Sequence, residues 1–552
     1  MMADQSYVIG IDFGTLSGRA SVIRTADGAE VGAHVVDYPH GVLEADLDGV
    51  RLPPDTALQV PADYLRVLAE AVPRALADAG VEPGSVVGLG LDVTSATVIP
   101  TTPDGTPLCE LGDLAGRPHA YAKLWKHHGA HAQTRRLVDA ARQRGEPWLA
   151  RYGGTLSVEL AVPKLLELAE ADPRVYAQTA HFVEALDWIV WQLTGEQVRS
   201  AAAAGYKSLH QDGTHPSAAY LEDAGFPSGP EALAKLTAPT MAPLGARAGA
   251  LSARGAELTG LPAGIAVAVG NIDAHVTAPA ADAVEPGQLT MILGTSTCFI
   301  VSAEEFHEVP GMFGAVDGGI VAGLWGYEAG QSGVGDIFAW FVDTCVPPEY
   351  HERARAEGVG LHDLLSGLAA DQPVGAHGLI ALDWHNGNRS ILVDPRLSGL
   401  VLGQTLATRP EDTYRALVEA TAFGARTIVE SFERAGVAVT EIVAAGGLIR
   451  NSFLMQVYAD VLGRPLAVVG SSQAGALGSG IHAAVAAGVY PDVRAAAAVM
   501  GRRADEVFTP DPAAVGAYQE LFALYTRLHD AFGRDRTIMH ELKELRDAAL
   551  KG

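Results

Sequence analysis

Short runs of Val, Ile and Leu recur along the chain, each ending abruptly in glycine or a polar residue. Longer stretches with apolar residues every third or fourth position lie between them. YVIGID (7–12), ASVIR (20–24) and VVGLGLD (86–92) have the length and composition of buried strands. Between the last two, PADYLRVLAEAVPRALADAG (61–80) places Leu65, Leu68, Ala69, Val72 and Leu76 on one stripe and closes on Gly80. This predicts a helix that Pro73 kinks or divides. The second half restarts the same grammar. GIAVAVGNID (264–273), QLTMILGTST (288–297) and CFIVS (298–302) read as strands and their exits. DTYRALVEATAFGARTIVESFERAG (412–436) reads as a long helix, weakened slightly at Gly424, and EIVAAGG (441–447) as the strand that follows. The weakly polar run 474–490, broken by glycines and His482, predicts a buried helix rather than a membrane span.

Alternating strands and helices predict an α/β fold. At 552 residues the chain is too long for one core, and two to four domains are expected on a prior of roughly 150 residues each. IDFGT (11–15) and LGTST (293–297) are strand-to-turn units of like chemistry, the second following the Pro/Gly punctuation of 281–288. They suggest two similar domains facing one cleft. Charge narrows the partners. A formal net charge of −26 argues against a broad nucleic-acid or anionic-membrane surface, though not against a local cationic pocket. Cys109, Cys298 and Cys345 are far apart, which fits a reducing cytosol better than a disulfide framework or a thiolate zinc site. MMADQSYVIG lacks the basic and apolar blocks of a signal peptide.

The strand exits carry the chemistry. In DFGT, Gly14 lets backbone N–H groups approach an anion, Thr15 and Ser17 add hydroxyls, and Arg19 adds a fixed charge. Asp12 would repel a bare phosphate but suits a phosphate carried with Mg²⁺. Alone, the stretch also suits a turn in which Asp12 caps local N–H groups. Gly294 and Thr295 repeat the request without the acid, and Gly446 and Gly447 offer bare backbone to a base or ribose, with Asn451 for polar contacts. Three such exits in order favour a nucleotide cleft, and neither a Walker-type loop nor a complete G-x-G-x-x-G accompanies them. In GNIDAH (270–275), Asp273 ends an apolar strand where a carboxylate could face the cleft, although alone it reads as a cap or hydrogen-bonded turn acid. Lys207 and Glu328 offer one donor and one acceptor, and alone they read as a solvated lysine and a partnered surface or capping acid. His127 and His131 stand four apart, but no third ligand accompanies them, and zinc is not expected.

DFGT, GTST and GG followed by Asn, in this order, resemble the actin-like ATPases, and within them the FGGY carbohydrate kinases of the ribulokinase branch. The resembling stretches run nearly end to end, among them LDVTSATVIP (91–100), KLWKHH (123–128), GYKSLH (205–210), GYEAGQSGVGDIFAWF (326–341) and LDWHNGNRS (382–390). The resemblance implies two actin-like (ribonuclease H-like) domains, each with a mixed central sheet, facing an interdomain catalytic cleft. Residues 1–283 would bind sugar, 284–504 nucleotide, and 505–552 would form a C-terminal helical extension. It further implies ATP-dependent phosphorylation of L-ribulose at the 5-hydroxyl, as in L-arabinose catabolism. Asp273 is then the base, and Lys207, Glu328 and the backbone of Ala96 contact the ketopentose with it. Gly14, Thr15, Arg19, Gly294, Thr295, Gly446, Gly447 and Asn451 are the nucleotide-binding candidates, and Asp12 the Mg²⁺ candidate. Lys126 and His128 would line or support the sugar pocket. The implied partners are the ketopentose and ATP, with a homodimer as the candidate assembly and the cytoplasm as the location. The family's signature near Lys164 has Trp where Glu167 stands here, which narrows the subfamily. Its second signature is only loosely met around 397–423. D-ribulose, xylulose or a pentitol remain alternative substrates, and an actin- or chaperone-like ATPase is the rival from another class.

Overall fold

The computed structural model describes residues 6–535 and 537–551. The MMADQ end that was read for a leader lies outside them. Two seven-stranded sheets organise the chain. In the first, Tyr7–Phe13 forms a hairpin with Ser17–Arg24, and Glu30–Asp37 extends it antiparallel. On its other side Val86–Val93 runs parallel, followed by Ala266–Ala268 and the edge strand Arg247–Ala250. The second sheet repeats this plan. Gln288–Leu293 turns into Thr297–Ala303, then Trp325–Gln331 and Gly314–Asp317, all antiparallel. Glu441–Ala445 and Leu466–Val469 run parallel on its other side.

Most expected elements form where the apolar pattern put them. The helix after the third strand spans Pro61–Ala79 without a break, capped by Gly80 at φ 62°. Pro73 does not divide it. Pro73 and Ala69 both lie on the exposed side, where the carbonyl that the proline leaves unbonded can turn to water. Arg503–Phe508 is an antiparallel edge strand of the second sheet, so that sheet continues through residue 504. The helix Pro512–Gly533 then buries Tyr518, Phe522 and Tyr525 in the second lobe's core beside Phe423. Residues 503–533 thus add an edge strand and core side chains to the second lobe.

The segment predicted as a buried helix, Ala474–Ala486, follows the second sheet's parallel strands but packs on the first sheet. Leu477 and Ile481 close a small core with Val8 and Ile23. A Cβ on Gly10 would stand 1.8 Å from the Ala476 carbonyl oxygen, and one on Gly90 2.2 Å from that of Ser479. The glycines of VVGLGLD therefore admit a helix backbone rather than a dinucleotide. Among the described residues, no helix is long and apolar enough to cross a membrane.

Candidate active site

Turns at the C-terminal ends of strands from both sheets meet around one cavity of about 750 Å³. Asp12, Thr15 and Arg19 reach it from the first hairpin, and Thr94 and Ser95 from the end of Val86–Val93. Asp273 follows the two-residue strand Asn271–Ile272. From the second sheet come Gly294, Thr295 and Ser296, then Gly446 and Gly447, then Ser471 to Gly475. Ligand binding outside the carboxyl ends of strands is the general habit of such sheets.

Around the first hairpin's turn, register decides the neighbours. Asp12 pairs across the hairpin with Arg19 and across the parallel ladder with Asp92. Arg19 Nε lies 3.5 Å from Asp12 Oδ2, and its Nη1 donates to Gln473 Oε1 at 2.6 Å. Trp125 Nε1 donates to Thr15 Oγ1 at 3.2 Å, tying the segment around residue 125 to this turn. The Thr295 turn is braced by the following helix, with Val334 N–H donating to the Thr295 carbonyl at 2.8 Å. Gly446 has φ 94°, and a Cβ there would stand 2.3 Å from the Leu293 carbonyl oxygen, so only glycine fits.

Three carboxyls gather here. Burial raises Asp12 and its neighbour Arg19 opposes the rise. Asp92 is wholly buried, and burial followed by the charge of Asp12 pushes it well up, while Ser479 Oγ donates to its Oδ2 at 2.6 Å. Asp273 opens the helix Asp273–Ala280 and accepts from the Ala274 N–H at 2.8 Å. Burial, then the charge of Asp12, lifts it to about 7 despite Lys207. A carboxyl poised near neutral pH suits general-base work. An acid-rich corner with one arginine also suits a divalent cation that keeps its waters and phosphate oxygens, which needs only one or two protein carboxylates. Among the described residues, no set of three or more His, Cys, Asp or Glu side chains is arranged to hold a metal ion by itself.

The other end of the cavity holds a buried ion pair. Lys207 Nζ donates to both oxygens of Glu328, at 3.0 and 2.8 Å, with the side chains 1% and 7% exposed. His275 Nε2 lies 3.2 Å from Glu328 Oε2. Burial works to raise Glu328, but Lys207 and His275 override it and hold the carboxyl down to about 2. Glu328 lines the cavity directly, whereas Lys207 stands behind it over the Phe313 ring, 4.3 Å from the centroid.

Other expected residues lie elsewhere. Ala96 is buried at φ 53° with its carbonyl accepting from Lys164 Nζ at 2.7 Å, and Thr94 and Ser95 take its expected place on the cavity wall. The Gly14 N–H closes its own turn onto the Ser17 carbonyl at 2.9 Å, and Gly14 is not on the wall. Asn451 caps the helix Ser452–Leu462 through Leu454 N–H and donates to Ser366 Oγ at 2.9 Å, and is not on the wall. His127 accepts from Ala57 N–H and meets Glu167 at 2.8 Å, which accounts for both ring nitrogens. Lys126 pairs with Glu44 at 2.6 Å, and His128 supports the cavity-lining Glu159 at 3.3 Å. Trp125, Glu159, Arg389 and the GSSQAG turn (470–475) also line the site. The last repeats the strand–glycine–hydroxyl grammar and could have been found; the others carry no local signal.

Residues 289–487 match the FGGY family of carbohydrate kinases, C-terminal domain. A ribulokinase of Mycolicibacterium smegmatis is 58% identical over 548 residues, 98% of this chain and 97% of that one. A ribulokinase of Anoxybacillus flavithermus is 46% identical over 99% of this chain and 98% of its own. In three dimensions, a xylulose kinase from Rhodospirillum rubrum superposes with a TM-score of 0.76 at 26% identity, covering 95% of this chain and 99% of that one. With a duplicated mixed-sheet plan around one cleft and this identity over its whole length, the chain belongs to the FGGY carbohydrate kinases, in their ribulokinase branch.

Proposed function

We propose that the chain transfers the terminal phosphoryl group of ATP to the 5-hydroxyl of L-ribulose, giving L-ribulose 5-phosphate and ADP. The observation that carries this reading is one cavity in which a raised carboxyl, Asp273, faces glycine- and hydroxyl-lined turns on one side and the Lys207–Glu328 pair on the other. The sugar hydroxyl oxygen attacks the terminal phosphorus, the bond to the bridging oxygen breaks, and the hydroxyl proton passes to Asp273. Glu328 accepts from a sugar hydroxyl while Lys207 fixes the charge and direction of that carboxylate. Thr15, Thr295 and the backbone N–H groups of their turns hydrogen-bond the phosphate oxygens, and Arg19 adds positive charge. Gly446 and Gly447 give the nucleoside a flat backbone surface. Asp12 would hold Mg²⁺, which would neutralise phosphate charge when bound. Closure of the two lobes on the bound substrates excludes water, which would otherwise compete as acceptor.

Release of ADP, measured with MgATP across a panel of ketopentoses and pentitols, tests the reading. Wild type should turn over only with sugar and prefer L-ribulose. Asp273→Asn should lose at least about 10²-fold in kcat. Hydrolysis that ignores both the sugar and this substitution would favour a partner-driven ATPase instead.

A further inference from the structure

The sugar end of the cavity carries a second charged pair to which the mechanism above gives no task. Arg389 sits in the loop after Ile380–Leu382 of the second lobe, and its Nη2 donates to Glu159 Oε1 of the first lobe at 2.8 Å. His128 Nε2 meets the same oxygen, Oε1, at 3.3 Å. Both side chains line the cavity although they are only 16% and 12% exposed. The Phe313 ring lies beneath both Arg389, 5.5 Å from Cζ to its centroid, and Lys207.

The contacts give the cavity a direction. His275, on the helix that Asp273 opens, lies 3.2 Å from Glu328, Glu328 pairs with Lys207, and the Phe313 ring under Lys207 also lies under Arg389. The order is therefore Asp273, Glu328 with Lys207 behind it, then Arg389 with Glu159. A chain-like molecule with its terminal hydroxyl at Asp273 that passes Glu328 presents its far end to this pair. In an open-chain 2-ketopentose that end is a C1 hydroxyl beside a ketone. A ketone only accepts hydrogen bonds and a guanidinium only donates them, while an ionised carboxylate accepts from a hydroxyl.

We propose that Arg389 and Glu159 are specificity-determining residues that bind the ketol end of the sugar, Arg389 donating to the C2 carbonyl oxygen and Glu159 accepting from the C1 hydroxyl. The inference rests on the ketopentose reading given above. Because one partner comes from each lobe, the ion pair also fixes both groups across the cleft before sugar arrives.

Calorimetric dissociation constants for L-ribulose, its 1-deoxy analogue and the matching pentitol test the proposal in wild type, Arg389→Lys and Glu159→Gln. The first variant keeps its charge; the second removes the charge but keeps a hydrogen-bond acceptor for Arg389, which also feels the negative charge of Glu328. Wild type should bind the ketose at least about 10-fold more tightly than either analogue. Arg389→Lys should erase most of the preference over the pentitol, and Glu159→Gln most of the penalty for the 1-deoxy sugar, with KM for MgATP within about 2-fold of wild type. Variants that weaken all three ligands alike, or leave the ratios untouched, overturn the proposal. Wild type that binds none of the three would instead sink the ketopentose reading itself.

Discussion

Replacing Lys207 with Met keeps the length of the side chain and removes its charge, stranding Glu328 in a pocket where it is 7% exposed. At 2.8 Å and an effective dielectric of about 20, the direct attraction lost is about 6 kcal/mol. Much of that is offset in the wild type by desolvation, and breaking such a pair typically costs about 3–5 kcal/mol. The sign of the pH dependence sharpens the expectation. Glu328 in the folded wild type is held down to about 2, below its ordinary value of 4.5. Its contribution to stability is therefore fully present above about 4.5 and lost as pH falls from there through about 2, and amounts to about 3 kcal/mol at neutral pH. In Lys207→Met the burial that opposes this shift is left largely unanswered, the folded carboxyl moves above its unfolded value, and protonation becomes stabilising. Denaturant unfolding at pH 7 and pH 5 should show the deficit of the variant shrinking by at least about 1 kcal/mol at the lower pH. The double variant Lys207→Met, Glu328→Gln should be more stable at pH 7 than Lys207→Met alone. A deficit constant over pH, or a double variant weaker than the single one, would refute the argument that an uncompensated carboxylate is the cause.

The kcat/KM of the wild type should fall as pH drops through about 7, because Asp273 must be ionised to accept a proton and its carboxyl is lifted to about 7 by burial and Asp12. A profile flat between pH 5 and 8 would contradict that. Gly90→Ala should destabilise by about 1–3 kcal/mol, since a Cβ would stand 2.2 Å from the Ser479 carbonyl oxygen; an unchanged denaturant midpoint would show that the helix yields freely. Lys164→Met removes the donor that serves the Ala96 and Leu124 carbonyls at 2.7 and 2.8 Å. Leaving two buried carbonyls unsatisfied should cost about 2–5 kcal/mol by the same assay, and a loss within about 0.5 kcal/mol would count against it.

Strand exits were legible because their chemistry is local. The apolar end of a strand, a glycine and a hydroxyl sit within five positions at 11–15 and again at 293–297, and both turns line the cavity. Asp273 was legible by the same rule. Contacts between distant segments were not. Glu159 and Arg389 stand 230 positions apart, and nothing around either predicts the other. Asp92 looked like the end of a strand; its importance comes from pairing in register with Asp12. Asn451 follows a paired glycine as a ligand group would, and the same position begins a helix in which it satisfies the Leu454 N–H. The resemblance implies a backbone contact at Ala96, and the left-handed backbone there turns its carbonyl toward Lys164, a contact with no local signal.

The helix Ala474–Ala486 has a consequence for how the molecule is made. It covers Val8 and Ile23 and seats itself on the bare backbone at Gly10 and Gly90, although some 380 residues separate it from the later of those glycines. The first sheet is thus synthesised long before its covering layer exists. Until the ribosome has passed residue 486, that face of the nascent chain has no native cover. A gene cut after residue 283 should yield a half-protein that aggregates unless the remainder is supplied alongside it.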